Sequence, residues 1–306
     1  MTGKILLVIL IAILILILIV FVYEQSTGFR VVYYDVKTTK SLPSNLKVVF
    51  LSDLHDTNTD CIFDKFKNDK FVKGNHKGSN KRLLNAIDVE NPDFVLLAGD
   101  MITSYMQPKY NSDVTFSFLE ELSKNHEVYY GLGNHEQRYL EDRVKFNNKY
   151  EELKEFVLSK NIHFLEDEVS YRNEDNVAIY GLNIPMEFYR RVVTKHLPDD
   201  FALNSLGKPD EKRFNILLAH NPDHFEDYVK FNPDLILSGH VHGGIIGIPG
   251  IGGLISPQFK LFPKYDFGEY KEGDSTMILS RGIGWHTIPV RIFNKAEMIV
   301  INISKQ

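Results

Sequence analysis

Residues that can bind metal ions follow several of the short apolar runs in this sequence. Each of the runs VVFLS, FVLLAG, VYYGLG, NILLA and DLILSG is followed directly by an aspartate, an asparagine or a histidine. The candidate residues are Asp53, His55, Asp100, Asn134, His135, His220, His240 and His242. Carboxylate and amide oxygens suit hard cations, and imidazole nitrogens suit Zn, Fe, Cu or Ni. This mixture of residue types predicts a centre for divalent ions that stay Lewis acidic.

The spacing of these residues is also informative. One residue separates Asp53 from His55, and one residue separates His240 from His242. In an extended backbone, side chains at positions i and i+2 point to the same side of the strand. The spacing therefore predicts that the members of each pair converge on one cluster.

The residues around the two pairs have a structural role in this interpretation. Leu54 and Val241 lie between the paired residues, and their side chains would face the core. Gly243 and Gly244 come next and would allow a sharp turn close to the site, which a Cβ atom would obstruct.

Short strands that alternate with helical segments must position these residues. The predicted strands lie at 29–37, 46–55, 91–100, 126–136, 176–183, 213–220 and 232–244. Helical periodicity covers 82–89, 112–125 and 138–160, and the C-terminal third is richer in strands. This alternation predicts βαβ units with parallel pairing, and ligands collect at the carboxyl edge of such sheets.

The overall composition limits the possible functions. A chain of 306 residues with 43% hydrophobic residues has enough apolar material for a sizeable core. The formal charge of −5 gives no basic footprint, so we expect no nucleic-acid partner. The single cysteine, Cys61, excludes an internal disulfide.

The N-terminus predicts a membrane anchor. Every side chain from Ile5 to Tyr23 is apolar or aromatic, which is about the length that crosses a hydrocarbon core of roughly 30 Å. A cleavable signal peptide is the alternative, but the following FVYEQSTGFR has no small-residue cleavage pattern. We therefore expect residues 1–28 to form the anchor and residues 29–306 to form one catalytic domain.

The orientation of this anchor is less clearly encoded. Lys4 precedes the apolar segment and Glu24 follows it, which favours an internal N-terminus, whereas Arg30 and Lys37 favour the opposite. The prediction is a single-pass protein of the cell membrane with its catalytic domain on the external face.

Five motifs in this order, SDLHD, AGDM, GLGNHE, LLAH and GHVHGG, resemble the motif set of the calcineurin-like metallophosphoesterases. The resemblance extends from about Leu46 to the C-terminus. It implies an α/β fold, a four-layer α/β/β/α sandwich of two mixed β-sheets, here preceded by one transmembrane helix. It also implies two divalent ions (Mn, Zn or Fe). The first ion would be held by Asp53, His55, Asp100 and His242, and the second by Asp100, Asn134, His220 and His240.

The same resemblance implies hydrolysis of a phosphate ester or anhydride by attack of metal-bound hydroxide. His135 would not coordinate a metal; it would neutralise the transition state or protonate the leaving oxygen, and Glu136 could orient it. Any one of these residues alone is more often a capping or hydrogen-bonding residue, and the joint pattern carries the prediction. His76 repeats the letters GNH without a preceding strand and is interpreted as part of a solvated surface insertion at 57–82.

The substrate is less constrained by the sequence. The GDMITSYM segment lacks the phosphate-binding arginine that protein phosphatases of this superfamily carry after the GD motif. The region 245–270 is rich in Gly, Pro, Ile and aromatic residues, and it either packs over the sheet edge or lines a site for lipid. It resembles the membrane-anchored branch that includes UDP-diacylglucosamine pyrophosphohydrolases.

Three functions remain open at this point. The first is a membrane-anchored hydrolase of a phosphodiester or pyrophosphate in a lipid-linked or nucleotide-linked substrate. The second is a tethered phosphodiesterase or nucleotidase for soluble substrates, and the third is a non-catalytic metal-binding scaffold. Arg281 follows the strand-like run STMILS and is a candidate either for phosphate binding or for a structural role.

Overall fold

The computed structural model describes residues 2–60, 78–104, 112–189, 195–244, 247–248, 252–253, 263–285 and 291–306. Cys61, His76 and most of the predicted surface insertion lie outside these residues, as do residues 245–246, 249–251 and 254–262 of the Gly- and Pro-rich region 245–270.

Within the described residues, helices and strands alternate along most of the chain. The helices are α1 (Thr2–Ser26), α2 (Lys81–Glu90), α3 (Asp113–Leu122), α4 (Asn134–Glu141), α5 (Lys149–Ser159), α6 (Phe201–Leu206) and α7 (Phe225–Val229). The first seven strands are β1 (Arg30–Thr38), β2 (Leu46–Leu51), β3 (Phe94–Ala98), β4 (Val128–Gly131), β5 (His163–Leu165), β6 (Glu168–Arg172) and β7 (Val177–Gly181). The other seven are β8 (Phe214–Leu218), β9 (Leu235–Ser238), β10 (Gly247–Ile248), β11 (Gly252–Gly253), β12 (Gly268–Glu272), β13 (Ser275–Leu279) and β14 (Glu297–Lys305).

Two six-stranded mixed sheets form the body of the protein. The first sheet has the order β1-β14-β2-β3-β4-β5, with β2 to β5 parallel and β14 antiparallel to β2. The second has the order β12-β13-β9-β8-β7-β6, with β13, β9, β8 and β7 parallel and an antiparallel strand at each edge. The predicted parallel pairing is therefore confirmed for the strands that lead to the candidate ligands.

Three apolar clusters lie between the layers. One packs α2 to α5 on the first sheet and contains Leu83, Phe118 and Leu153. The second lies between the two sheets, and the third packs α6 and α7 on the second sheet. Because every layer boundary is an apolar core, the arrangement is the predicted α/β/β/α sandwich.

Two local predictions differ from the structure. The helical segment predicted at 138–160 is divided into α4 and α5, because Asn147 and Asn148 adopt left-handed conformations that a helix cannot contain. The predicted apolar stripe nevertheless packs inward, with Tyr150 and Val157 buried. The strands also end several residues earlier than predicted, which matters for the site.

Helix α1 differs from the rest of the molecule. The segment Lys4–Ser26 is long and apolar enough to cross a membrane. None of the residues in its most apolar part is buried against the rest of the protein. An apolar helix of this length exposed along its sides is suited to a lipid environment or to a signal sequence.

Candidate metal centre

The candidate ligands come from two sheets whose carboxyl edges lie together. Asp53 and Asp100 follow β2 and β3, and Asn134 begins α4 after β4. His220 follows β8, and His240 follows β9 in the second sheet. Since these strands are parallel neighbours within their sheets, the residues after them are brought to one edge.

The backbone at this edge is left-handed rather than extended. The φ angles are 54° at Asp53, 49° at His55, 73° at His240 and 52° at His242. The argument from strand alternation is therefore wrong for both pairs, since β2 and β9 end before these residues. Asp53 and His55 still share one cluster, whereas His240 and His242 belong to two adjacent clusters. Strained conformations of this kind are common where a backbone must present functional groups.

The residues beside the ligands have the predicted structural roles. Leu54 and Val241 are buried in the apolar cores. Gly243 and Gly244 have φ angles of 64° and 81°, and a Cβ atom on Gly243 would lie 2.5 Å from the Asn294 amide oxygen. Only glycine fits this turn without displacing its neighbours.

The first cluster, as we name it, consists of Asp53, His55 and His242. Nε2 of His242 lies 3.2 Å from Asp53 Oδ1, and Nε2 of His55 lies 3.7 Å from the same oxygen. The two Nε2 atoms are 3.0 Å apart, and the rings are stacked with their centroids 5.0 Å apart. All three side chains are buried.

The second cluster consists of Asp100, His220 and His240, together with the Asn134 amide. Nε2 of His220 lies 3.1 Å from Asp100 Oδ2. A terminal amide atom of Asn134 lies 2.6 Å from His240 Nδ1 and 3.2 Å from Asp100 Oδ2. Asp100 also belongs to a third group with His55 and His135, so it lies between the first and second clusters. This is the position that a bridging ligand requires.

The chemistry of these atoms fits bound cations. As placed, the Asn134 amide oxygen faces only acceptors, and a cation would satisfy it without a rotation of the amide. His220 Nε2 is buried, and its approach to Asp100 Oδ2 does not have hydrogen-bond geometry. In three groups of three, the ligand atoms of carboxylates and imidazoles lie within 4.8 Å of one another. Buried acceptors this dense are unfavourable without positive charge, so the residues suit divalent ions.

The electrostatics lead to the same conclusion. Burial alone would raise the pKa of Asp53 and Asp100, but the adjacent histidines hold both pKa values well below the ordinary carboxyl range. Burial alone would lower the pKa of His220, but the charges of Asp100 and Asp53 raise it to about 10. Burial lowers the pKa of His240 and His242. The raised pKa of His220 reflects the negative charge of the two carboxylates, and a divalent ion would offset the same charge.

His135 lies beside the clusters with its ring tautomer fixed. The backbone N–H of Ser104 donates to His135 Nδ1 at 2.7 Å, and Ser104 Oγ lies 2.9 Å from the same nitrogen. Because an amide N–H can only donate, Nδ1 is an acceptor, and the proton of the neutral ring lies on Nε2. Nε2 is 4.0 Å from Asp100 Oδ2, so this proton faces the candidate metal ligands.

Neither Ser104 nor Arg138 belongs to one of the motifs, although Arg138 Nη1 donates to Ser104 Oγ at 3.2 Å. The available signal was the register of α4, since Arg138 lies one helical turn after Asn134.

Glu136 positions the ligand-bearing backbone and not the His135 ring. Its carboxylate accepts the N–H groups of Asp100 at 2.8 Å, Met101 at 3.0 Å and Gly133 at 2.9 Å. It also accepts the hydroxyl of Tyr130 at 2.7 Å. The suggestion that Glu136 orients His135 is therefore replaced by a role in joining the loops after β3 and β4.

Two buried residues near the C-terminus support the first cluster. Arg291 Nη2 lies 3.4 Å from His242 Nδ1 and donates to the carbonyl of Gly284 at 2.6 Å. The Asn294 amide donates to the carbonyl of His242 at 2.6 Å and to that of Gly244. Neither residue belongs to a recognisable motif, and only the folded chain brings them to the histidines.

Arg281 has the structural role. Its guanidinium lies 3.3 Å above the centre of the Phe267 ring and donates to Asn294 Oδ1 at 3.3 Å. Its Nε lies 3.5 Å from Glu297 Oε2, and its side chain is buried. This packing favours the structural interpretation of Arg281 over contact with a substrate phosphate.

The other described histidines lie apart from the clusters. His126 pairs with Asp88 at 2.8 Å, and His224 is buried with its Nε2 3.2 Å from the carbonyl of Phe188. The assignment of these two residues to surface and structural roles agrees with their positions.

Comparisons with known proteins agree with this geometry. The sequence profile of the calcineurin-like phosphoesterases matches residues 46–244, which contain all the candidate ligands. An uncharacterized metallophosphoesterase of Campylobacter jejuni is 24% identical over 264 residues, covering 86% of this chain and 60% of the relative. One of Helicobacter pylori is 27% identical over 266 residues with the same coverage, and one of Aquifex aeolicus is 25% identical over 278 residues, covering 90% and 91%.

The chain thus spans about 60% of the length of the first two relatives and nearly all of the third. The profile match covers β2 to β9 and the motif-bearing loops that follow these strands. On these grounds the chain belongs to the calcineurin-like phosphoesterase family.

Proposed function

We propose that this protein is a membrane-anchored dinuclear metal hydrolase that cleaves a phosphodiester or pyrophosphate bond. The observation that carries the proposal is the meeting of the two ligand clusters at Asp100. In this proposal the first ion is held by Asp53, His55, Asp100 and His242. The second is held by Asp100, Asn134, His220 and His240, and Mn, Zn and Fe all suit these ligands.

Two divalent ions in these positions would polarise the phosphoryl oxygens, activate water and offset the charge that develops during in-line displacement. The side chains of the protein would donate the proton and position the ligands. His135 offers its Nε2 proton to the leaving oxygen, and the Ser104 N–H keeps that proton on Nε2. Glu136 holds the Asp100 and Gly133 backbones in register, so the ligands need little rearrangement.

We also propose that α1 stays attached as a single membrane span, with the catalytic domain 29–306 on the external face. Ser26, the last residue of α1, is buried, and its hydroxyl accepts the N–H of Arg291 at 2.9 Å. Cleavage after Ser26 would remove this buried hydrogen bond, which favours an anchor over a signal peptide.

The preferred substrate is a lipid-linked phosphate ester or diphosphate. The support is the short path from α1 to the ligands, since Arg291 contacts both Ser26 and His242. A nucleotide-linked or other soluble phosphodiester is the second candidate, because the site chemistry itself does not discriminate between them.

The test uses the full chain purified in detergent, stripped of metal by a chelator and reloaded with Mn, Zn or Fe. An aryl phosphodiester, a detergent-dispersed lipid diphosphate and a cyclic nucleotide are compared as substrates. We expect metal-dependent hydrolysis of the aryl ester that His135→Ala lowers by about a hundredfold or more. The control His163→Ala, at a partly exposed histidine on β5, should retain it. Hydrolysis that survives His135→Ala and Asp100→Asn would show that this site is not catalytic, and a scaffold role would then be favoured.

A further inference from the structure

The end of α1 is surrounded by aromatic and basic side chains of the catalytic domain. We propose that Tyr23, Trp285, Phe293 and Lys295 form a second membrane-contacting surface, the anchor-proximal surface, which holds the metal centre at the depth of the lipid headgroups. This inference rests on the proposed function, in which α1 spans the bilayer.

The length of α1 leaves no spacer between the membrane and the domain. Its apolar part, Ile5 to Tyr23, has 19 residues. At a rise of about 1.5 Å per residue it spans about 29 Å, against a hydrocarbon core of about 30 Å. The next strand begins at Arg30, and Phe29 is already buried beneath the Arg82 guanidinium, 4.7 Å from the ring centre. Residues that contact Ser26 therefore lie close to the hydrocarbon boundary.

Three residues of the C-terminal region contact this end of α1. The Arg291 N–H donates to Ser26 Oγ at 2.9 Å, and the Trp285 indole N–H donates to the Ser26 carbonyl. Lys295 Nζ donates to the carbonyl of Glu24 at 3.0 Å. These contacts attach the helix end to the domain instead of leaving a flexible tether.

The same part of the chain reaches the first cluster. The N–H of Gly284 donates to the Asp53 carbonyl at 2.7 Å, and the Arg291 guanidinium contacts both the Gly284 carbonyl and His242. Arg291 thus contacts the anchor through its backbone and a candidate metal ligand through its side chain. A single residue, Arg291, therefore connects the end of the proposed membrane helix to the candidate metal centre.

The side chains around this junction suit a bilayer surface. Phe293 is 53% exposed, its ring lies 5.4 Å from that of Phe21 on α1, and its φ angle of 52° is unusual for a bulky residue. Tyr23 is also exposed, and Trp285 is partly exposed. Aromatic side chains with a polar atom, flanked by lysine, are enriched at headgroup depth. Because the surface is continuous with α1, the partner that fits it is the same bilayer.

This placement has a consequence for the substrate. A phosphate at headgroup depth can reach the ligands without its lipid leaving the membrane. The inferred substrate class is therefore an amphiphile with a phosphodiester or diphosphate in its headgroup, presented in the leaflet where α1 ends.

Trp285 makes the test direct, because it is the only tryptophan of the chain. The full chain is reconstituted in phosphatidylcholine vesicles that carry bromine either near the headgroup or near the end of the acyl chain. We expect Trp285 fluorescence to be quenched more strongly by the shallow bromine. The matched control is the double variant Trp285→Phe with Tyr171→Trp, since Tyr171 is an exposed residue on β6. It should be quenched by iodide in the buffer and by neither lipid. Quenching of Trp285 by iodide alone would overturn the inference.

A second measurement concerns activity. Phe293→Ser should lower hydrolysis of a vesicle-embedded lipid phosphodiester, relative to a soluble aryl phosphodiester, by about tenfold, the partitioning expected of one aromatic side chain. Tyr171→Ser should leave this ratio unchanged. An unchanged ratio in Phe293→Ser would contradict the role of the surface. Lipid quenching of Trp285 without hydrolysis of any substrate would refute the proposed reaction alone, and hydrolysis without lipid quenching would refute the membrane surface alone.

Discussion

The two ligand clusters have similar residues but are supported in different ways. In the second cluster, His220 Nδ1 bonds to the carbonyl of Ala98 at 2.6 Å, and the Asp100 N–H bonds to the Glu136 carboxylate. These partners lie on the core strands and helices. In the first cluster, His242 is contacted by Arg291 and Asn294, which come from the region that also contacts the end of α1.

The second cluster is therefore supported by the buried core, and the first by residues that contact the end of α1. The second cluster should stay formed as long as the two sheets are folded, because its supporting residues are buried between and on them. The first cluster depends on long-range hydrogen bonds to a loop, so changes at the end of α1 should affect it first. Substitutions that act on one support at a time can separate these two dependencies.

The largest effect is expected where the two clusters meet. Asp100→Asn removes the carboxylate shared by both proposed ions, so hydrolysis of an aryl phosphodiester should fall to background and metal content should fall at both sites. Metal analysis and steady-state kinetics measure this. Asp35→Asn, on the exposed side of β1, is the control and should behave as the original chain. A variant with normal activity would show that the clusters do not act together.

The next effect isolates chemistry from metal binding. His135→Ala should lower kcat by roughly a hundredfold to ten-thousandfold, the range for loss of a general acid, while metal content stays normal. His135 is positioned by a hydrogen bond from Ser104, which is not one of the residues that support either cluster. An aryl ester with a very acidic leaving group should restore much of the rate, because it needs little protonation. Equal losses for good and poor leaving groups would contradict the proton-donor role.

The strands and most of the candidate ligands could be predicted from the sequence, because an apolar run and the polar residue that follows it are adjacent in the chain. Asp53 and His55 were placed together correctly from their spacing, but for a reason that the left-handed φ angles of both residues contradict. Whether such a turn forms depends on neighbouring loops, including the hydrogen bond from the Asp53 N–H to the Gly99 carbonyl. Arg291 could not be predicted, because its contact with His242 exists only after β14 joins the first sheet.

A smaller effect should reveal the support of the first cluster by residues that contact α1. Arg291→Gln should weaken metal binding at the first cluster by roughly tenfold to a hundredfold, the usual cost of removing an outer-shell partner, and leave the second cluster unchanged. Titration of the metal-free protein, followed by calorimetry, should then show one weakened and one normal binding step. The control is Arg30→Gln, which removes an exposed guanidinium that pairs with Glu297 at 3.0 Å. Two equally weakened steps would mean that the supports are not separate.

The corresponding change on the core side should appear in stability. Glu136→Gln removes a carboxylate that accepts four backbone N–H groups, and leaving a buried donor unpaired costs about 1 to 3 kcal/mol. The free energy of unfolding in denaturant, measured without metal, should fall by about that amount. The exposed Glu152→Gln is the control. If Glu136→Gln weakened only the metal affinity, the second cluster would not depend on the core in the way described.

The smallest effect concerns the pH dependence of the core that supports the second cluster. His224 lies on the second sheet's helix layer, and burial lowers its pKa below the ordinary value of 6.5. Between the folded pKa and 6.5 the unfolded chain therefore binds more protons than the folded chain, so this residue makes the protein less stable as the pH falls below 6.5. His224→Gln keeps a donor for the Phe188 carbonyl but cannot titrate. Its free energy of unfolding should decline less between pH 7 and 5 than that of the original chain, and parallel declines would show that His224 is not protonated on unfolding.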